Sequence, residues 1–467
     1  MNMIVPSFFL FAVYAGITAW LPLFLRNMGY SVVHIGFLLA VFEVFGVIVP
    51  FFTGNIPAKN GKYGLFLFIN GCVLALIPCV MFSLPLFALT ALCLAVYASA
   101  IKAVIPVSDS FIGLQLGTKR DRYGRIRAVG SLGFVVANIV MQRFIHIDTI
   151  STFATVLWMT VPAVLFSLSL IVIPGIMTPL LPPSPMSEKT QPSPNVTGTA
   201  QALQRSSDLT GNAPSESAVK AESDPAAESD PAAGNAPAAG TPTDRTEKTE
   251  KPEKTELTEK PKIPRGFFGT IARAFSLFFG QFSPYYWLVL ALIFLTMFGQ
   301  APTNHFFSMY VREYLHSDAA GFLWVLSALS EIPFMFFSNR FIRRYGSVKL
   351  LLFCSAASSV RNLVYVCFPS VAGAAAAQLF NSVTFGLFHP AAVMFAAQHA
   401  RRKEQYVLSQ LLYSICAIGT AKILASALGG IVVHRFGYGF LYASYSAFPL
   451  AGILLFAVLN KRAKQAE

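Results

Sequence analysis

Residues 86–113 read LFALTALCLAVYASAIKAVIPVSDSFIG, an apolar run interrupted by two charges, Lys102 and Asp109. A bilayer-spanning helix needs about 20 predominantly apolar residues, so this run is long enough to cross a membrane. An ionisable group near the bilayer centre costs roughly 2.5–3.5 kcal/mol even on the lenient insertion scale, so it must face protein or water, not lipid. Lys102 and Asp109 share a helix face with Cα atoms about 10.5 Å apart, too far to pair comfortably but suited to lining one cavity. Other apolar runs carry Glu43, Glu331, Arg361 and Lys422. Three acidic and three basic side chains can neutralise one another across a bundle. Such a set reads first as a pathway for a polar or charged solute and second as structural glue.

Outward from this run the same pattern repeats. Twelve candidate spans emerge, at roughly 4–25, 33–53, 64–82, 86–113, 129–145, 153–175, 285–310, 320–338, 348–368, 371–397, 407–432 and 439–460. The 467 residues are 55% hydrophobic and 12% charged, against about 25% charged in a soluble domain. The chain is therefore expected to be an all-α integral membrane protein. Its net charge of +13 does not point to nucleic acid, because the basic residues cluster in short loops between apolar runs. Lys59, Lys62, Lys119, Arg120, Arg122, Arg125, Arg127, Arg340, Arg343, Arg344, Lys349, Arg401, Arg402, Lys403, Lys461, Arg462 and Lys464 fall on one side; only Arg26, Arg143, Arg312 and Arg435 fall on the other. The positive-inside rule then puts both termini and the central loop in the cytoplasm, with the protein in the plasma membrane. The first apolar run has no basic residues before it, and reads as a first span, not a cleaved signal peptide. All six cysteines lie in apolar segments without metal-ligand spacing and read as small buried hydrophobes.

The spans form an N-terminal six-helix bundle over 1–177 and a C-terminal one over 285–467. Between them, 178–263 is low in complexity, with a tandem Glu-Ser-Asp-Pro-Ala-Ala from Glu222 and Glu228 and a Thr-Glu-Lys tract from Thr246. Having almost no large apolar residues, it is expected to be a disordered cytoplasmic linker. Phe267, Ile271, Phe275 and Phe278 recur at helical spacing, which suggests an interfacial amphipathic helix over 264–284. The halves resemble each other weakly, Leu25-Arg26 to Gly36-Phe-Leu matching Val311-Arg312 to Gly321-Phe-Leu. Duplicated six-span halves are an architecture of secondary transporters, with the solute near the midplane between them.

Six plus six spans, a long central loop and basic loops after spans two and eight resemble the major facilitator superfamily. Arg343-Arg344-Tyr345-Gly346 is similar to its Arg-x-Gly gating motif, whereas the first-half counterpart, Gly54 to Lys62, has Ala58 where that motif usually has Asp. Asp109, Asp121-Arg122-Tyr123-Gly124-Arg125-Ile126-Arg127, Gly130-Ser131-Leu132-Gly133-Phe134, Glu331-Ile-Pro333, Arg361 and Thr384-Phe-Gly386-Leu387-Phe388-His389 resemble the phenylpropionate-permease-like branch, relatives of the lactose permease. The resemblance covers all but the central loop and implies proton-coupled uptake of a small organic solute. Related permeases often carry His where this chain has Asn381.

Glu43 and Glu331 stand near the centres of spans two and eight, where a carboxyl group shielded from water is a candidate proton carrier; the alternative is a carboxylate permanently paired with Lys or Arg. Asp109 is a candidate gate partner for Arg125 or Arg127. Arg361 offers a planar fork for a carboxylate, and with Lys102 and Lys422 it forms a positive trio suited to an organic anion. His389 is a candidate proton relay or a histidine bonded between packed helices. His305 and Asn304 read as lining an outer entrance, and Tyr14, Trp20, Trp324, Tyr365 and Phe380 as ordinary packing or interfacial residues. Gly130 and Gly133 read as sites of close helix contact.

The chain has no Gly-x-x-x-x-Gly-Lys-[Ser/Thr] cradle, no His-Glu-x-x-His, no zinc-like cysteine pairs and no Gly-x-Ser-x-Gly elbow. The expectation is a monomeric twelve-helix transporter of the major facilitator fold, not an enzyme, with no cofactor and no metal. Its partners would be a solute, a proton and the bilayer. Aromatic or small carboxylates are favoured as solutes, and sugars or nucleosides are the alternative. A membrane scaffold or sensor acting through the central loop is the rival of another class.

Overall fold

A computed structural model of the chain describes residues 3–54, 56–116, 123–145, 150–173, 176, 178, 281–399 and 403–465, which are helical with no strand among them. In the first half the spans are α1 (Ile4–Asn27), α2 (Val32–Thr53), α3 (Tyr63–Ser83), α4 (Phe87–Leu116), α5 (Tyr123–Phe144) and α6 (Thr152–Ile171). In the second they are α7 (Pro284–His305), α8 (Ala320–Tyr345), α9 (Ser347–Cys367) and α10 (Val371–Gln398), followed by the stretch Leu408–Ala463. That stretch passes through Gly437 at φ 79°, a conformation that only glycine adopts cheaply and that no right-handed helix contains. It therefore divides into α11 before Gly437 and α12 after it, so that among the described residues helices stand at the twelve expected positions. α5 is 22 residues long but less apolar than the rest, because its first turns carry Arg125 and Arg127.

Local sequence accounts for the helix starts. Ser31, Ser151, Ser283 and Ser370 each accept a hydrogen bond from the backbone N–H three residues on, capping α2, α6, α7 and α10. α7 also has Pro284 in its first turn, where the missing N–H costs nothing. α1 widens into a π-helical turn at Gly16–Trp20, and α11 does so at Leu412–Gly419. Chain continuing from α7 makes another such turn at Tyr310–Tyr314, so helical structure extends beyond the residue 310 that hydropathy indicated. Within the first half, a Cβ on Gly133 would collide with the Phe8 carbonyl oxygen, so α1 and α5 touch backbone to backbone.

The two halves meet closely on the side opposite the basic loops. α2 crosses α11 at Gly36 and Gly430, where a Cβ on Gly36 would stand 2.7 Å from the Ser426 carbonyl oxygen and 3.0 Å from the Gly430 Cα. α5 meets α8 where the Gly321 N–H donates to Gln142 Oε1 at 2.6 Å. At the C-terminal end of α1, Arg26 Nε lies 2.7 Å from Glu313 Oε1, and Tyr438 O–H donates to Glu313 Oε2 at 2.7 Å. Arg312 pairs with Asp318 nearby.

The linker expected at 178–263 and the amphipathic helix expected at 264–284 lie outside the described residues, apart from Thr178 and 281–284. Cys72, Cys79, Cys93, Cys354 and Cys367 are free thiols. Cys93 and Cys354 are buried as expected, whereas Cys72 and Cys79 are only partly so and Cys367 is exposed at the end of α9, which corrects the expectation of burial for these three.

Candidate functional site

Three charge clusters stand between the helices, the first of them partly exposed. In the first, Arg127 Nη1 lies 3.3 and 3.4 Å from the two carboxylate oxygens of Asp109. Its guanidinium stands 4.5 Å from the centre of the Phe11 ring, a cation–π distance. Ser7, Leu10, Ser108 and Ile112 line the same small cleft. Hydropathy placed Arg127 in a basic loop, but it belongs to the second turn of α5, where it faces Asp109 of α4 and stays partly exposed. Its charge lies within electrostatic reach of Glu331 on α8 in the opposite half.

The second cluster is a chain of hydrogen bonds across α8, α9 and α10. Asn381 Nδ2 donates to Glu331 Oε2 at 3.1 Å, and Arg361 Nη1 donates to Asn381 Oδ1 at 3.2 Å. Arg361 also donates to Thr384 Oγ1 at 3.0 Å and to Gln378 Oε1 at 2.6 Å. Gln378, Asn381 and Thr384 are spaced by three residues, so one face of α10 presents them together to the guanidinium. Arg361 is 3% exposed, and Glu331 is partly buried.

The third cluster centres on Glu43 of α2. Lys102 Nζ on α4 lies 3.4 Å from both of its oxygens, and His305 Nε2 on α7 lies 3.9 Å from one of them. Lys422 on α11 acts electrostatically on both Glu43 and His305. His305 is buried here, which corrects its reading as an entrance residue. α7 continues as helical structure to Tyr314, so His305 sits deeper than its place in the apolar run implied.

These placements revise several expectations. Lys102 and Asp109 do not share a cavity; each is paired separately, with Glu43 and with Arg127. The positive trio is split, since Lys102 and Lys422 converge on Glu43 while Arg361 is enclosed by α10. His389 Nδ1 is 2.9 Å from the Tyr413 hydroxyl, a bond between packed helices. Trp20 and Trp324 are buried and donate to Asn138 and Ser308. Of the expected gate residues, Arg343 and Arg344 are exposed at the end of α8, and Gly346 ends that helix at φ 82°. The side chains of Arg125 and Ala58 lie outside the described residues. Sequence reasoning missed Phe11, Ser7, Gln378 and Tyr413. Only Gln378 left a signal, a polar residue three positions before Asn381 in an otherwise apolar span.

The family model described as the MFS_1 like family matches residues 1–444. Maltose permease of Geobacillus stearothermophilus is 28% identical over 208 residues, 44% of this chain and 52% of that protein. The uncharacterized transporter YwbF of Bacillus subtilis (strain 168) is 26% identical over 172 residues, 37% of this chain and 42% of that protein. The matches thus span about half the length of these curated relatives. Among solved structures, the nucleoside transporter NupG superposes with a TM-score of 0.62 at 13% identity, covering 98% of each chain. A POT family transporter in complex with a thioalcohol conjugated peptide gives 0.59 at 9% identity, over 99% of this chain and 96% of that one. At such identities the likeness shows the fold alone.

Proposed function

We propose that this chain, which belongs to the MFS_1 like family and is a membrane transporter of the major facilitator type, carries a neutral, hydroxyl-rich solute of the sugar class into the cell together with a proton. The observation that carries the solute class is the Asp109–Arg127 pair beside the Phe11 ring, with Glu331 of the other half within the field of Arg127. A sugar hydroxyl both donates and accepts, so a carboxylate and a guanidinium side by side can hold adjacent hydroxyls. The aromatic ring suits the apolar face of a pyranose. Glu331 accepts from the far side, so one solute engages both halves and its occupancy favours their closure around it.

The geometry weakens the carboxylate reading, because that reading needed Arg361, Lys102 and Lys422 in one place. It also separates the carboxylates by role. Asp109 and Glu43 are directly ion-paired, whereas the hydrogen bond to Glu331 comes from the neutral Asn381 amide. Glu331 can therefore gain and lose a proton without breaking a direct ion pair, and it is the coupling residue of this proposal. The charge asymmetry of the loops supports cytoplasmic termini and linker, and with that orientation the closed side is the outside. A relative named for maltose and a fold neighbour named for nucleosides are consistent with a neutral hydroxylated solute.

The test is uptake by proteoliposomes of a panel of sugars, nucleosides and small carboxylates, with and without an inward proton gradient. Gradient-driven accumulation of a neutral sugar or nucleoside is expected. Accumulation confined to carboxylates, or sugar uptake indifferent to the gradient, would overturn the solute class or the coupling respectively.

A further inference from the structure

The helices that begin on the closed side do not all begin alike. α2, α6 and α10 each start behind a serine whose hydroxyl caps them, Ser31, Ser151 and Ser370. α8 starts behind Ala319, whose side chain has nothing to accept a hydrogen bond. Asp318, one residue earlier, is paired with Arg312, and the Ser317 hydroxyl is engaged by the Ala319 N–H. The first N–H groups of a helix have no partner within it and need one from outside. For Gly321, the second residue of α8, that partner is Gln142 Oε1 at 2.6 Å, and Gln142 belongs to α5 of the other half.

The same amide is held at its other atom. Gln142 Nε2 donates to the Asp318 carbonyl oxygen, so both polar atoms of one side chain are bound to the turn that opens α8. The helices approach closely here: a Cβ on Gly321 would stand 2.7 Å from Gln142 Oε1 and 3.1 Å from the Asn138 carbonyl oxygen. Asn138, one turn before Gln142 on α5, accepts the Trp20 indole N–H at 3.2 Å, and Trp20, Gln142, Asp318 and Ala320 line one small cleft. In the repeat of the two halves Gly321 matches Gly36, so the crossing of α8 on α5 is the counterpart of α2 on α11. The two crossings differ in one respect. α2 brings its own cap, whereas α8 takes its cap from the helix it crosses.

We infer that Gln142 is the N-cap of α8 supplied in trans, a positioning residue for the transport cycle. It holds the first turn of the helix that carries Glu331 while the halves are closed on this side, and gives that turn up to water when they part. A capping oxygen shifts an equilibrium by about 2–30-fold relative to water. This one side chain therefore biases the protein toward the closed conformer by that factor. The inference uses neither the solute class nor proton coupling, so its failure is distinct from failure of the uptake test.

The experiment reads the conformer at the other crossing, where a purely local role of Gln142 does not register. The reporter is Val32→Cys in the full-length protein in nanodiscs, with the native cysteines replaced by serine. Val32 is 8% exposed, and its carbonyl oxygen would stand 2.7 Å from a Cβ on Gly430 of α11. Gln142→Met keeps the length of the side chain and removes its polar atoms, and should raise the rate of maleimide labelling about 2–30-fold. Gln142→Glu keeps the acceptor and loses the donor, and should raise it less. Deuterium exchange of the segment 320–323 is the second readout. It should quicken in Gln142→Met, and also in Gly36→Val, where Gln142 is intact but the halves are wedged apart. An unchanged labelling rate in Gln142→Met, or equal rates in Gln142→Met and Gln142→Glu, overturns the inference. Exchange as slow as in the wild type in a Gly36→Val protein that labels faster overturns it too, and that result stands even where the Gln142 variants do not fold.

Discussion

Substituting Gly36 by Val would wedge the two halves apart on their closed side. The new Cβ would stand 2.7 Å from the Ser426 carbonyl oxygen and 3.0 Å from the Gly430 Cα, both backbone atoms that no rotamer change can move. Relaxed carbon–carbon contacts need about 3.5–4.0 Å, so α2 and α11 must separate by about 0.5–1 Å for the Cβ alone. Overpacking of this kind costs about 1–3 kcal/mol. The penalty falls only on the conformer in which these helices touch. The equilibrium should therefore move toward the conformer open on that side, the outward-open one in the proposed orientation, by about 5–150-fold. The assay is labelling by a membrane-impermeant maleimide of a Leu23→Cys reporter, with the native cysteines replaced by serine. Leu23 is 3% exposed and lines the cleft on this closed side with Trp20, Gln142 and Arg312. Gly113→Val is the control, because a Cβ there meets nothing within 4 Å. Equal labelling rates in folded Gly36→Val and Gly113→Val proteins would refute the reasoning that this crossing holds that side shut.

Further outcomes are expected at five residues. Glu43→Gln should destabilise the protein, by at most roughly 3–5 kcal/mol in a denaturant or thermal assay, because it leaves the half-buried Lys102 without its carboxylate partner. Lys102→Met should cost distinctly less, since Lys422 remains to face Glu43, and equal losses would contradict the cluster as described. Glu331→Gln should abolish gradient-driven accumulation while preserving solute exchange between identical compartments, which counterflow measurements separate. Arg127→Ala should weaken solute binding by about 10–150-fold, the worth of a charged hydrogen bond, measured by equilibrium dialysis. Arg26→Ala should shift Leu23→Cys labelling by no more than about fivefold, because the Arg26–Glu313 pair is solvent-exposed and such pairs contribute about 0–1 kcal/mol.

The spans were legible because a bilayer imposes a strict local requirement. Every backbone polar group must be satisfied within its own segment, and this demands long apolar helices that hydropathy detects. The serine caps at Ser31, Ser151, Ser283 and Ser370 are equally local. The charged residues were legible as functional candidates because lipid tolerates them so poorly. α5 was the hardest boundary to place, since its first turns are basic enough to read as loop.

The sequence by itself therefore determined the fold class, the twelve spans and which side chains are too costly to face lipid. Only the tertiary structure decided the pairing of Glu43 with Lys102, the enclosure of Arg361 by α10, the facing of Arg127 onto Asp109 and the burial of His305 beside Glu43. These depend on how far each helix is rotated about its axis and how deep it sits against its neighbours. Hydropathy is nearly blind to both, because a shift of one residue along a helix turns a side chain by 100° while leaving the apolar length of the span unchanged.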